Sequence, residues 1–153
     1  MRSGPPRAVV QSRQLSAEPG MVKGSIVTLD KVHIIVYLMN VKAILFYRTA
    51  SGRCPVKEHL DTLSDVQARK IAWVLKLIRE VDRIPSKYFK KLINTDDIWE
   101  ARIDVGKDTF RLLGFFYDGD LIVLTNSFQK KSQNTPTIEI KLAEKRKKEY
   151  LGR

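Results

Sequence analysis

Two arginines and two lysine pairs are the residues whose type and placement could do chemistry in this chain. Arg102 lies in the segment Ile98 to Ile103, where Trp99, Ala101 and Ile103 share one side and Glu100 and Arg102 the other. Arg111 lies in the next segment, Thr109 to Tyr117. Lys130 and Lys131 follow the apolar stretch Leu121 to Phe128, inside the run Ser-Phe-Gln-Lys-Lys-Ser-Gln-Asn-Thr-Pro from Ser127 to Pro136. Lys90 and Lys91 stand in the connection that enters this region. Neighbouring strands lie about 5 Å apart, so cations on a shared face would form one pocket for a polyanion backbone. Structural duties compete with that reading: either arginine can pair with Glu100 or Asp104, and adjacent lysines are commonly a solvated pair. Phe115, Phe116 and Phe128 offer rings for base stacking, although alternation commits at least half of them to a core.

Other chemistries have less to stand on. His33 and His59 are far apart and have no metal-ligand spacing to any other His or Cys. His59 falls in a short helical segment and reads as a packing or surface residue. The single cysteine, Cys54, precedes Pro55 and suits a helix-cap position. One cysteine allows no disulfide framework and fits a reducing cytoplasm. There is no Gly-rich phosphate loop, no Gly-x-Ser-x-Gly elbow, and no carboxylate pair in a clear setting. No cofactor is implied.

The elements that must position the cations follow from the hydrophobic pattern. The chain has 153 residues, 43% of them hydrophobic, enough for one small domain. Lys and Arg number 28 against 17 Asp and Glu, a formal net charge of +11, which attracts nucleic acid or an acidic protein. The run Val32 to Tyr47 is broken by His33, Asn40 and Lys42 and falls short of a membrane span. The first 25 residues are rich in Gly, Pro, Ser and Arg without helical or strand period, which predicts disorder. Residues 1–38 read as an extension, and Met39-Asn40-Val41-Lys42 as the natural beginning of a domain over 39–153. Intact mass of the native protein tests that start; a product retaining Met1 would contradict it.

Val41 to Tyr47 predicts a first strand. Pro55 opens a short helix with Val56, Leu60 and Leu63 inward. Ser64-Asp65-Val66-Gln67 has capping-box spacing and begins a second helix, whose inner face carries Ile71, Val74, Ile78 and Val81. Three strands follow as an antiparallel meander, with a two-residue hairpin at Asp118-Gly119. A final helix spans Thr137 to Tyr150. Its run Lys145-Arg146-Lys147-Lys148 reads as a solvated face because Glu144 and Glu149 flank it. The order is strand, helix hairpin, three strands, helix, an α+β class with a sheet of about four strands.

These pieces together resemble the RelE/ParE toxin superfamily, and within it the HigB branch that includes phage-derived host-inhibition proteins. The resemblance rests on Phe46-Tyr47, Gly52-Arg53-Cys54-Pro55-Val56, Lys90-Lys91-Leu92, Ile98-Trp99-Glu100-Ala101-Arg102, Phe110-Arg111-Leu112-Leu113 and Phe128 to Pro136. It covers about Val41 to Tyr150. It implies a RelE-like antiparallel sheet with the helix hairpin packed on it. It also implies the toxin of a type II toxin–antitoxin system: a metal-independent endoribonuclease that cuts ribosome-bound mRNA. Arg111 would then hold the scissile phosphate, with Arg102 beside it. Lys131 would be a second phosphate contact or proton donor. Lys90, Lys91, Lys130 and Gln133 would hold flanking RNA, and Glu100 is a candidate general base. The implied partners are mRNA, the ribosome and an antitoxin, often a helix-turn-helix protein, encoded next door. Two other readings share the resemblance: a ParE-like inhibitor of DNA gyrase, and a non-toxic RNA-binding or regulatory domain. Replacing Arg111 by Ala is expected to remove toxicity and leave the fold intact.

Overall fold

The computed structural model describes residues 42–153. The proposed extension over 1–38 and the start at Met39 lie outside them. Strand β1 (Ala43–Phe46) leads through a loop to helix α1 (Pro55–Leu60) and helix α2 (Asp65–Glu80). Four strands follow: β2 (Phe89–Lys91), β3 (Trp99–Val105), β4 (Asp108–Tyr117) and β5 (Leu121–Gln129). Helix α3 (Thr137–Leu151) closes the chain.

The α+β class holds, but the sheet differs from the expected one. It has five strands in the order β1-β5-β4-β3-β2, and it is mixed, because β1 runs parallel to β5. The added strand is β2, formed by the segment read from sequence as a connection. Lys90 and Lys91 are therefore ladder residues opposite Glu100 and Trp99. The helix layout also differs from a hairpin laid on the sheet as a unit. Helix α1 packs mainly on β5, whereas α2 packs mainly on β3.

Local chemistry explains the helix boundaries. Cys54 is the N-cap of α1 with Pro55 at the first helical position, where its missing N–H costs nothing. Ser64 and Gln67 form both bonds of the capping box at the start of α2. The inner face of α2 buries Ile71, Val74 and Ile78, each worth about 1.5–3 kcal/mol against exposure. They join Val56, Ala101, Ile103, Phe110, Leu112, Ile122 and Leu124 in the main core. Phe116 packs on the same cluster, Phe115 is buried beside Tyr47, and Phe128 packs on Ile98, Leu113 and Ala143. All three rings considered for base stacking are thus committed to packing.

Two irregularities set which side chains face which layer. Tyr117 pairs with Leu121, so the β4–β5 hairpin encloses three residues, Asp118 to Asp120, instead of two. Asp118 and Gly119 both take positive φ. The third residue, Asp120, offers its carbonyl to the Ala43 amide and starts the parallel pairing of β1. The second irregularity is a bulge: Leu113 pairs with Asn126 while Gly114 pairs with Leu124, leaving Thr125 extra. A Cβ at Gly114 would fall inside contact distance of the Val123 carbonyl oxygen, so only glycine fits there. The bulge reverses the alternation of β5. Ser127 turns to the α1 side, where it meets His59, and Phe128 turns to the α3 side.

Candidate functional site

The sheet presents two unlike faces. Under α1 and α2 it is apolar and aromatic: Trp99 stacks on Phe89 at 5.0 Å and meets Phe116 edge-on at 5.2 Å. On the α3 side, the same β3 and β4 carry Glu100, Arg102, Asp104 and Arg111. Arg102 and Arg111 are direct partners in the antiparallel register, so their side chains leave the sheet on one face at neighbouring positions.

The two guanidiniums meet at one carboxylate. Glu100 is 1% exposed, and its Oε1 lies 3.1 Å from Arg102 Nε and 3.6 Å from Arg111 Nε. Its other oxygen, Oε2, accepts the hydroxyl of Thr135. Arg111 is buried; its Nη1 donates to the Phe110 carbonyl at 2.8 Å and lies 3.7 Å from Asp104 Oδ1. Arg102 is about a third exposed. A buried charge is tolerated only when paired and hydrogen-bonded, and the Glu100–Arg102–Arg111 cluster meets that need in part. Burial lowers the Arg111 pKa from its ordinary value, and Arg102 works in the same direction; Glu100 and Asp104 oppose them. Arg111 nonetheless stays charged at any physiological pH.

The satisfaction of this cluster is incomplete. The Nε–H groups of Arg102 and Arg111 are buried and have no hydrogen-bond acceptor among the described residues. For Arg102 the 3.1 Å approach to Glu100 lacks hydrogen-bond alignment, so proximity there is electrostatic only. Two cationic forks share one buried carboxylate and keep unpaired donors. The buried Nε–H groups are out of reach of a ligand, but Arg102 is about a third exposed, and its terminal N–H groups suit an oxyanion because phosphate oxygens match the planar guanidinium fork.

The flanking lysines divide. Lys130 continues the β4–β5 ladder, its amide donating to the Thr109 carbonyl at 2.7 Å. Its ammonium caps the loop by donating to the Gln133 carbonyl at 2.6 Å. Lys131 and Gln133 are exposed, and no side-chain partner of Lys131 occurs among the described residues. Lys90 stands opposite Glu100 and shares its face, exposed. Lys91 stands opposite Trp99 on the other face and pairs with Asp97 at 2.5 Å, which pulls the Asp97 carboxyl below its usual range. The structure therefore brings Arg102, Arg111 and Glu100 together and places Lys90 on their face. It separates Lys91 from them, because adjacent strand residues point to opposite faces.

Two contacts escaped the sequence reading. Thr135 ties the Lys130–Pro136 loop to the arginine cluster through Glu100; its one signal was its place just before the helix-opening Pro136. His59 leans on β5, its Nδ1 2.7 Å from Ser127 Oγ. Burial pushes its pKa down from the ordinary 6.5, with the Glu139 carboxylate pulling the other way. The basic run of α3 is also not a uniformly wet face. Lys147 is buried, donating to the Asp96 carbonyl at 2.6 Å, and Arg146 donates to the Thr125 carbonyl at 2.8 Å. Among the described residues, no group of His, Cys, Asp or Glu is placed to hold a metal, and no helix is long and apolar enough to cross a membrane.

The fold and this cluster define a small basic α+β domain with a partly satisfied arginine pair on its sheet. The family model described as "Phage derived protein Gp49-like (DUF891)" matches residues 58–148, and the chain belongs to that family. The matched span includes every residue of the cluster and leaves out β1. No curated protein matches the chain.

Proposed function

We propose that this protein is the toxin of a toxin–antitoxin system and that it acts as an endoribonuclease on mRNA engaged by the ribosome. The family is associated with RelE-like toxins, and an antitoxin is the partner that association suggests. The observation that carries the enzymatic reading is the pair of cross-strand arginines on buried Glu100, with Arg102 about a third exposed and the exposed Lys90 on the same face.

In this reading the ribose 2′-oxygen attacks the adjacent phosphorus and gives up its proton to solvent water. The bond from phosphorus to the 5′-oxygen breaks, and that oxygen takes a proton. The products are a 2′,3′-cyclic phosphate and a 5′-hydroxyl. Arg111 and Arg102 hold the non-bridging oxygens, whose negative charge grows in the pentavalent transition state. Lys131, exposed on the loop that Thr135 anchors, is the group to protonate the leaving oxygen. Glu100 is enclosed by two arginines and Thr135, so its part is to position the guanidiniums; a carboxylate buried this deeply is a poor proton shuttle. Lys90, Lys130 and Gln133 lie on the approach for flanking RNA.

Primer extension on cellular mRNA after induction tests the proposal. Discrete new 5′ ends, lost in the Arg102→Gln variant, are expected. Intact mRNA with DNA breaks and an SOS response would favour gyrase inhibition, and normal growth would favour a non-toxic binding domain.

A further inference from the structure

The C-terminal end of α3 forms a second cationic concavity, apart from the arginine pair. Its volume is about 540 Å³, and its walls include Tyr47, Lys145, Arg146, Glu149 and Arg153. That is within the usual range of ligand pockets. Three cations face one carboxylate, and the carboxylate is already engaged: Glu149 accepts the Tyr47 hydroxyl.

The two arginines are held in place. Arg146 Nη1 donates to the Thr125 carbonyl at 2.8 Å, and Arg153 Nη2 to the Arg48 carbonyl at 2.6 Å. Each guanidinium has five N–H donors, so these single bonds leave most of them for a ligand. Both guanidiniums also lie over the Tyr47 ring, at 5.6 Å and 5.0 Å from its centroid. Cation–π contact fixes them further. It also covers the ring, so the pocket offers charge and N–H donors rather than a surface for base stacking. A ligand recognised there is an oxyanion, read without regard to base.

Its place narrows the source of that anion. Thr135 and Glu100 put the arginine pair beside the start of α3, and Lys145 to Arg153 lie at its other end. At 1.5 Å rise per residue, the two sites are about 15–20 Å apart. A stacked single strand advances about 3.4 Å per nucleotide, so roughly five nucleotides cover that distance. We infer that the Tyr47–Arg146–Arg153 pocket is a second RNA-binding site, holding a backbone phosphate about five nucleotides from the one at Arg102 and Arg111. The inference rests on the reading of the protein as one that acts on RNA.

The test uses the full chain and 2′-O-methyl oligouridylates, which bind but cannot be cut. Fluorescence anisotropy with a 12-mer is measured across a salt series. The Lys145→Gln/Arg153→Gln variant should bind about three- to tenfold more weakly and lose about 0.7–1.4 from the slope of log Kd against log salt, the loss of one or two phosphate contacts. A 3-mer, too short to span both sites, should not distinguish variant from wild type. Lys145→Glu, at an exposed position, repeats the measurement should loss of the Arg153 contact disturb folding. Equal affinity and slope in a folded variant would overturn the inference. So would a variant that loses affinity for poly-glutamate while keeping it for the 12-mer, because that outcome makes the pocket a protein-docking surface. A wild-type chain with the pocket-dependent slope that cuts no mRNA would support the pocket and remove the cleavage proposal instead.

Discussion

The two faces of the sheet are built from the same strands and obey different rules. Under α1 and α2, Trp99, Ala101, Ile103, Phe110 and Leu112 close a dry core with helix side chains. On the α3 side, Glu100, Arg102 and Arg111 occupy the intervening positions of the same strands, and two of the three are buried. Apolar packing maximises stability on the first face. The second spends folding free energy on desolvating charges and leaves donors unpaired. The second face also holds apolar packing around Phe115 and Leu113, and the proposed RNA chemistry falls on its charged part.

The most damaging test of that division is Glu100→Ala. It leaves two guanidiniums crowded without their carboxylate, and a loss of about 3–5 kcal/mol in denaturant unfolding is expected. A change under about 1 kcal/mol would mean that Glu100 does not hold the pair. On the opposite face, Trp99→Ala should cost about 2–4 kcal/mol, below the range for a wholly buried ring because Trp99 is only half-buried. Cleavage per folded molecule should survive it. Loss of cleavage without loss of stability would blur the two faces.

Smaller effects sharpen the same picture. His59 has a folded-state pKa below its ordinary 6.5. The folded form therefore binds its proton less readily than the unfolded chain, and stability should fall as pH drops below about 6.5. Replacing His59 by Gln should flatten the dependence of Tm between pH 7.5 and 5.5; an unchanged slope would separate His59 from it. Lys91→Ala removes an exposed pair with Asp97 on the apolar face's side and should change stability by less than about 1 kcal/mol. It should leave cleavage intact, whereas Lys90→Ala, on the arginine face, should weaken RNA binding.

Much of this was legible in the residues, and the failures have physical causes. The capping box at Ser64, the inward face of α2 and the opposite sidedness of Trp99 and Arg102 follow directly from period and cap chemistry. Strand β2 was not visible because three residues, two of them lysine, are too few to show alternation. The bulge at Gly114 was hidden because nothing local announces the extra residue Thr125 in its partner strand. Glutamate is rarely fully buried, so the enclosure of Glu100 could not be read from its type. The pairing of Arg102 with Arg111 needed the register, and the dual duty of the α3 basic run needed to show that Lys147 points inward. Burial also changes one expectation. Arg111→Ala would strip Glu100 of a partner inside the protein and should cost stability as well as activity.

Arg102, about a third exposed, is the cleaner probe of the central claim. The most direct measurement is primer extension on cellular mRNA in strains expressing wild type or Arg102→Gln, with Tm recorded for both purified proteins. Discrete cuts by wild type are expected, with a fall of about 10²–10³ in cleavage for the variant, the cost of one transition-state oxyanion contact, at nearly unchanged Tm. Full cleavage by a folded Arg102→Gln protein would contradict the claim.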